Sequence, residues 1–459
     1  MGKAHYKGKD VTEVRSPQRK LVPDMVGSDH RKPTSLRAIA DKAKADTRHR
    51  FQNLYRHLDA ELLVYSFYTL NKDAASGVDG VTWEAYEGKL QANVEALVER
   101  LKSKTYRARL VRRWYIPKGR GKRPLGIPVI EDKMLQAACV GVLEAIYEQE
   151  FFSFSYAYRP GKGTRDAVRD LTFDLQYGRY GYVVEIDIKG FFDHMDHNWL
   201  LTMLKVRIDD RAFLGLIRKW LKAGVLETDG AVMHPDTGTP QGGVVSPVLA
   251  NVYLHYVMDL WFEKVVKPRC DGQALISRYS DDLVCAFQYR RDAERFYHSL
   301  PARLGKFALE VAPEKTRVLR FNRFHPTMKR RFTFLGFEFF WYADRKGVVR
   351  VTRRTARAKL YSACRRIKEW IKKNRHLPGK ELFRGLNIRL QGHYNYYGVY
   401  GNILSLYRFV WWVRSCTFKW LNRRGGKKKS FTWEQFAAIL DGALSRPRIT
   451  EMKHRRVYA

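Results

Sequence analysis

Apolar residues recur along this chain with two different periods, and the changes of period mark its elements. From Phe51 to Leu70 the spacing is helical, with Leu54, Leu58, Leu62 and Tyr65 on one face. Trp83 to Leu101 reads as a second helix, lined by Tyr86, Leu90, Val94, Leu97 and Leu101. Asp132 to Tyr147 is a third, with Leu135, Ala138, Cys139, Val142, Leu143 and Ile146 as its stripe, and Val248 to Trp261 is a fourth helical run. Elsewhere the pattern shortens to strands. Trp114-Tyr115-Ile116-Pro117 and Arg123-Pro124-Leu125-Gly126-Ile127-Pro128 flank a polar bend and predict a hairpin with Lys118, Arg120, Lys122 and Arg123 near its tip. In Val183–Ile188, period two puts Val184, Ile186 and Ile188 on one face and Glu185 and Asp187 on the other. Ala274-Leu275-Ile276 and Leu283-Val284-Cys285-Ala286-Phe287 enclose a polar break and predict a second hairpin. From Arg350 the pattern is helical again and strongly basic. Leu360, Cys364, Ile367 and Ile371 form one stripe, and Ile403, Leu406, Val410, Val413 and Leu421 another. Residues 1 to about 45 show no clear period and read as a basic, mobile arm.

Composition narrows the partner. The 459 residues include 85 Lys and Arg against 47 Asp and Glu, a formal charge of +38. With 45% hydrophobic and 14% aromatic residues the chain has material for real cores, so this charge belongs to a folded surface rather than a disordered polyelectrolyte. Such a surface attracts a polyanion, and nucleic acid is favoured over a membrane surface. Cys139, Cys270, Cys285, Cys364 and Cys416 are far apart with no Cys-x-x-Cys pair, so neither a zinc site nor a disulfide framework is expected. That usage fits a reducing, cytoplasmic setting. The start of the chain lacks an apolar signal core, and no apolar run is long enough to span a membrane.

The candidate chemistry lies in acids at strand ends. Asp281 and Asp282 occupy the bend of the second hairpin, and Asp187 ends a strand on the face away from the apolar layer. Asp is common in turns for its own hydrogen bonding, so the pair alone decides nothing. A third acid in a matching setting changes the balance. Two divalent cations roughly 3.5–4 Å apart can clamp the attacking and leaving oxygens of a phosphoryl displacement, and they need shared carboxylates. Glu185 shares the face but reads as a solvated or salt-bridged neighbour. His194 and His197 flank Asp196 and read as structural, and Cys139 as inert core.

Phe191-Phe192-Asp193, Thr239-Pro240-Gln241-Gly242-Gly243, Tyr279-Ser280-Asp281-Asp282 and Phe334-Leu335-Gly336-Phe337 occur in the order of the palm motifs of reverse transcriptases. With Gly77-Val78-Asp79-Gly80, Ile116-Pro117-Lys118, Arg123-Pro124-Leu125-Gly126-Ile127-Pro128 and Tyr158-Arg159-Pro160-Gly161, the chain from about Asn71 to Ile439 resembles the proteins encoded by bacterial group II introns. Ser280 departs from the family's usual Ala. Pro247 after Ser246 favours the intron-type branch, and no His/Cys nuclease-like cluster follows the helical region, which resembles the form without an endonuclease domain.

The resemblance implies an α+β right-hand polymerase: fingers and a palm with a ferredoxin-like antiparallel sheet, followed by an α-helical thumb/maturase domain. Its divisions would be a basic arm at 1–45, an N-terminal extension and fingers at 46–185, a palm at 186–345, and thumb/maturase domain X with a tail at 346–459. It implies two Mg²⁺ ions held by Asp187, Ile188, Asp281 and Asp282, of which the three acids are catalytic. Lys118, Arg123, Phe191, Phe192, Gln241 and Lys315 would meet the nucleotide, with the choice among the four hairpin cations left open. One of Phe191 and Phe192, with Phe191 favoured, would stack under the sugar and exclude a 2′-hydroxyl. Leu335 and Gly336 would grip the primer end. Arg159, Lys372, Arg408, Arg414, Lys419, Arg423 and Arg424 would bind RNA. The implied partners are group II intron RNA, as template and splicing substrate, a DNA primer or target, and dNTPs, with no membrane and no zinc. The implied function is RNA-directed DNA synthesis from a primer 3′-hydroxyl together with maturase activity. The alternatives are a splicing cofactor with a vestigial polymerase site and a domesticated, intron-free enzyme of defence or repair.

Overall fold

A computed structural model describes residues 33–118, 121–239, 241–344, 346–423 and 430–451. The segment read as an arm is partly a helix: α1 (Thr34–Ala45) buries Leu36, Ile39 and Ala43. Their helical spacing is short and diluted by Lys and Arg, which hid it in the sequence. Residues 1–32 lie outside the described residues. The run from Phe51 to Leu70 is two pieces, a 3₁₀ turn (Leu54–His57) and α2 (Ala60–Tyr68). Asp59 separates them because its carboxylate accepts from the Leu62 amide and starts a new helix. The next predicted helix is likewise divided at Gly88 into α3 (Trp83–Glu87) and α4 (Leu90–Lys102).

Strands β1 (Val111–Lys118) and β2 (Gly121–Ile127) form the predicted hairpin, with Ile116 opposite Arg123. Then comes α5 (Ile130–Tyr147), buried on nearly every side. A helix apolar all round belongs in the centre of a core, and α1 and α2 both pack on it. Its Gly141 lies where a Cβ would come within 3.2 Å of Leu36, so the missing side chain lets α1 approach closely.

Helix α6 (Thr164–Tyr177) precedes β3 (Tyr182–Asp187), α7 (Phe191–His194), α8 (His197–Lys205), α9 (Arg211–Leu221) and the short pair β4 (Val225–Leu226) and β5 (Val232–Met233). α10 (Ser246–Leu254) continues into two π-helical turns, His255–Asp259 and Phe262–Val266. β6 (Ala274–Tyr279), β7 (Asp282–Phe287), α11 (Arg290–Gly305), β8 (Arg317–Arg320), β9 (Phe332–Phe334), β10 (Phe337–Ala343) and β11 (Val349–Thr355) follow. The last part is helical: α12 (Arg357–Asn374), α13 (Gly379–Tyr397), α14 (Ile403–Leu421) and α15 (Trp433–Ala443).

The class is α+β. Among the described residues, three sheets have the orders β2-β1-β4-β5, β6-β7-β3-β8 and β11-β10-β9, and the middle one is antiparallel throughout. Both faces of that sheet are covered. Val184, Ile186, Leu283 and Cys285 belong to the large core with α5 and α10, whereas Val183, Val284 and Ala286 pack against Leu171 and Leu175 of α6 and Phe332 and Phe339 of the third sheet. The face that carries Glu185 and Asp187 is therefore dry at one end and opens only near the acids. The sequence boundary at 345/346 falls within the β10–β11 hairpin, whose register runs from Phe337 with Thr355 to Ala343 with Val349. The one at 185/186 falls inside β3. Ile371, Leu386, Leu390 and Val413 form a separate core for the terminal helices.

Candidate active site

Asp187 is the last residue of β3 and Asp282 the first of β7, and the antiparallel register sets them directly opposite each other. Directly paired residues have Cβ atoms roughly 4.5–5.5 Å apart, where like charges repel. Asp281 lies beside them in the two-residue loop that joins β6 to β7. That loop turns through Ser280 at φ 58°, a left-handed conformation unusual for a side chain other than Gly. The strand end is fastened by the segment after α11. The Asp187 amide donates to Thr316 Oγ1 at 3.2 Å, and its carbonyl accepts from the Ala312 amide at 2.8 Å.

The electrostatics follow from that crowding. Burial raises Asp282 to about 7, with the charges of Asp281, Asp187 and Glu185 adding to it and a hydrogen bond from the Leu335 amide opposing it. Asp281 is also raised, mainly by burial, while the Arg123 charge pulls the other way. Lys315 Nζ lies 3.2 Å from Asp187 Oδ1 and supplies positive charge at the strand end. All three acids offer hard oxygen donors, the donor chemistry that suits a divalent cation. As the side chains stand, no group of three or more His, Cys, Asp or Glu among the described residues is gathered closely enough to hold a metal. Ile188 forms a bridge with Val311 directly after Asp187.

Three segments surround the acids. The β1–β2 hairpin brings Arg123 near enough for its charge to act on Asp281 and on Tyr158. Lys118 pairs with Gly121 through the backbone; its side chain lies outside the described residues, as does Arg120. The loop holding Gln241 is tied to this hairpin, since Gly126 N–H donates to the Gln241 carbonyl at 2.7 Å. Gly242, at φ 116°, sits where a Cβ would lie 2.6 Å from the Gly126 carbonyl oxygen, so only glycine permits this approach. The same loop meets α7, with the Thr239 amide donating to the Phe192 carbonyl at 2.8 Å. The third segment is the β9–β10 turn, where Leu335 and Gly336 both have positive φ, 50° and 79°. The Leu335 amide donates to Asp282 Oδ2 at 3.4 Å.

Two expectations need correction. Phe191 is 1% exposed and packs on Tyr253 in the large core, so it is not the ring facing the cleft. Half-buried Phe192 is the better candidate, because it follows Phe191 at the start of α7 with its ring less buried and its carbonyl bonded to the Gln241 loop. Arg159 does not face a nucleic acid. It is 9% exposed, paired with Glu148 at 3.0 Å and bonded to the carbonyls of Phe151, Phe152 and Ser155. Its neighbour Tyr158, at φ 58° and set between the charges of Asp281 and Arg123, is the residue of that motif at the site. Period and spacing gave no sign of it; only the Tyr-Arg-Pro-Gly motif marked the place. His194 and His197 contact the carbonyls of Gly190 and Gly238 and are structural. Glu185 is held by Arg317 and the Thr333 amide.

In the terminal helices, Lys372, Arg375 and Arg423 surround the Trp420 ring at 5.7, 5.4 and 5.5 Å. Arg408 and Lys419 are exposed, and Arg414 pairs with Asp441 at 2.8 Å. Arg424 lies outside the described residues.

Residues 116–339 match the family described as reverse transcriptase (RNA-dependent DNA polymerase), and residues 360–436 match the maturase-specific domain of group II introns. The chain thus carries a reverse transcriptase domain followed by a group II intron maturase-specific domain. It is 37% identical over 229 residues to "Group II intron-encoded protein LtrA" of Lactococcus lactis subsp. cremoris, covering 49% of this chain and 38% of that protein. It is 35% identical over 227 residues to "Protein YkfC" of Escherichia coli (strain K12), covering 48% of this chain and 59% of the relative. A 26% identity over 139 residues links it to "Nuclear intron maturase 4, mitochondrial" of Arabidopsis thaliana, covering 30% of this chain and 17% of that one. The chain thus spans less than two thirds of the length of these curated relatives. No described helix is long and apolar enough to cross a membrane.

Proposed function

We propose that this protein extends a DNA primer on an RNA template, and that it also binds a group II intron RNA as a maturase. The observation that carries the first part is the register that sets Asp187 opposite Asp282, with Asp281 in the adjoining turn, inside a reverse transcriptase domain. The antiparallel sheet with α6, α10 and α11 is the palm in this reading. The β1–β2 hairpin and the helices before it are the fingers and N-terminal extension, and α12 to α15 are the thumb and maturase domain.

The reaction joins the primer 3′-hydroxyl to the α-phosphorus of a dNTP and releases pyrophosphate. Asp187, Asp281 and Asp282, with the Ile188 carbonyl, would hold two Mg²⁺ ions. Divalent cations bound there supply the charge that favours an ionised hydroxyl and offsets the negative charge on the leaving oxygens. Arg123 and Lys118, on the hairpin, bind the triphosphate, and Arg suits this because its fork meets phosphate oxygens in pairs. Lys315 is released from Asp187 to face the nucleotide. Gln241 and Phe192 bound the sugar, and the Phe192 ring leaves no room for a 2′-hydroxyl. The Leu335-Gly336 turn receives the primer end. Lys372, Arg408, Lys419 and Arg423, with the rings among them, bind intron RNA by phosphate contact and stacking.

The test is primer extension on an RNA template. The expected result is dNTP incorporation by the wild type and none by Asp281→Ala, with the thermal midpoint of the variant preserved. Undiminished extension by the variant overturns the reading. Splicing of an intron RNA in the presence of the same variant separates the maturase role from polymerisation.

A further inference from the structure

The β9–β10 turn holds a leucine in a left-handed conformation that a side-chain-bearing residue seldom adopts. Leu335 at φ 50° and Gly336 at φ 79° make the two-residue loop that joins Phe334 to Phe337. Positive φ at both positions matches the twist of a tight hairpin, and Asn-Gly is the usual pair there. A leucine persists in this place only if its surroundings fix it. Its amide donates to Asp282 Oδ2 at 3.4 Å, and its carbonyl accepts from the Tyr396 hydroxyl at 3.0 Å. One peptide segment thus connects a catalytic carboxylate to a tyrosine of α13.

Tyr396 is itself held in place. Its ring stacks on Phe337 at 6.1 Å with 9° between the planes, and it touches Tyr397 edge-on at 4.7 Å. The Tyr397 hydroxyl oxygen lies 3.1 Å from the place a Gly336 Cβ would take, so the turn has a wall on that side. The Ala356 amide donates to the Gly336 carbonyl at 2.9 Å just before α12 begins. α13 is also tied to α6. Arg165 of α6 bonds the Asn395 carbonyl and the Thr450 carbonyl and hydroxyl, and Thr450 Oγ1 donates in turn to the Tyr394 carbonyl at 2.9 Å.

We propose that Tyr396 is a positioning residue for nucleotide addition: its hydroxyl holds the Leu335 peptide so that the amide of the same residue orients Asp282 and the turn meets the primer end. The helical domain therefore contributes to the geometry of the polymerase site as well as carrying RNA-binding side chains. This inference rests on the polymerase reading above. It assigns Tyr396 no contact with substrate, and the contribution passes through the backbone of one residue, Leu335.

The test uses the full chain and Tyr396→Phe, which keeps the ring and removes the hydroxyl. The first readout is amide hydrogen exchange of the segment 332–337 without nucleic acid or added metal. A lost hydrogen bond of typical strength raises that exchange by about two- to tenfold. The second is single-turnover extension, with about a tenfold lower rate at saturating dNTP, an unchanged dNTP concentration for half-maximal rate, and an unchanged thermal midpoint. Tyr342→Phe, an exposed tyrosine elsewhere on β10, serves as the control and changes neither readout. Faster exchange at 332–337 with an undiminished rate overturns the proposal, as does unchanged exchange. A slower rate accompanied by faster exchange throughout α12–α14 means a structural role only and also overturns it. An inactive wild type, by contrast, is failure of the polymerase reading itself, and the inference falls with it.

Discussion

Removing one partner from the buried ion pair behind the β6–β7 turn should destabilise the protein sharply, whereas removing both together should not. Arg278 and Asp259 have 0% exposed side chains. Arg278 Nε and Nη2 donate to the two Asp259 oxygens at 2.7 and 2.6 Å, Nη2 also donates to Ser155 Oγ at 2.7 Å, and Nη1 donates to Asn251 Oδ1 at 3.0 Å. The pair lies at the join of β6 and the first π-helical turn, three residues before Asp281. Burial pushes the Asp259 carboxyl up, but the Arg278 charge and hydrogen bonds, with the His255 ring 3.8 Å away, outweigh it and leave the group below its usual range. A depressed acid contributes stability above the unfolded value of 3.8 and loses it as pH falls through the lower folded value, so the pair is intact at neutral pH. Asp259→Asn strips the guanidinium of its counter-charge in a dry site. The expected cost is about 3–5 kcal/mol, toward the lower end because the bonds to Ser155 and Asn251 survive. The double variant Arg278→Met/Asp259→Leu leaves no buried charge and should return to within about 2 kcal/mol of wild type. The assay is urea denaturation followed through exchange of the β6 and β7 amides, because a chain with separate cores need not unfold in one step. A cost below about 1 kcal/mol for Asp259→Asn, or a double variant no better than the single one, refutes the reasoning.

Three further outcomes are expected. Phe192→Val should admit ribonucleotides, raising rNTP incorporation relative to dNTP by at least about tenfold, while Phe191→Val should mainly lower the thermal midpoint, since that ring is core; competition extension assays and melting curves measure the two. The Asp282 carboxyl, held at about 7 against 3.8 when unfolded, favours the protonated folded state. Its contribution to stability is therefore full below pH 3.8 and is lost as pH rises toward 7, so between pH 5 and 8 the midpoint of the metal-free protein should fall more steeply than that of Asp282→Asn. Equal slopes would count against it. RNA binding should weaken steeply with salt, each phosphate contact adding a slope of about −0.7 to −0.9 in log K against log salt, and Arg423→Ala should reduce the slope by about one contact; filter binding from 50 to 300 mM salt checks both.

Much of the site was legible because its signals are local. Strand alternation placed Asp187 at an end of β3, and the polar break between two β-rich runs placed Asp281 and Asp282 in a turn. Other features left no such trace. Asp59 and Gly88 interrupt helices whose apolar period runs on across them. Arg159 and Tyr158 adjoin in a loop, where no period tells which side chain turns inward. Glu451 and Arg353, buried together at 2.6 Å, are a charged pair drawn from segments almost a hundred residues apart. The Tyr396 contact likewise joins α13 to a turn sixty-one residues earlier.

The sequence by itself determined the class of fold, the two domains in order, the basic surface and the three acids, because each is written in a short window or in the sum of charges. Tertiary structure alone decided which of two adjacent phenylalanines is core, which arginine is sequestered, and what holds Leu335 in its left-handed turn. Those outcomes depend on desolvation and on partners brought together by folding, and free energies of that kind arise only when distant segments exclude water from one another.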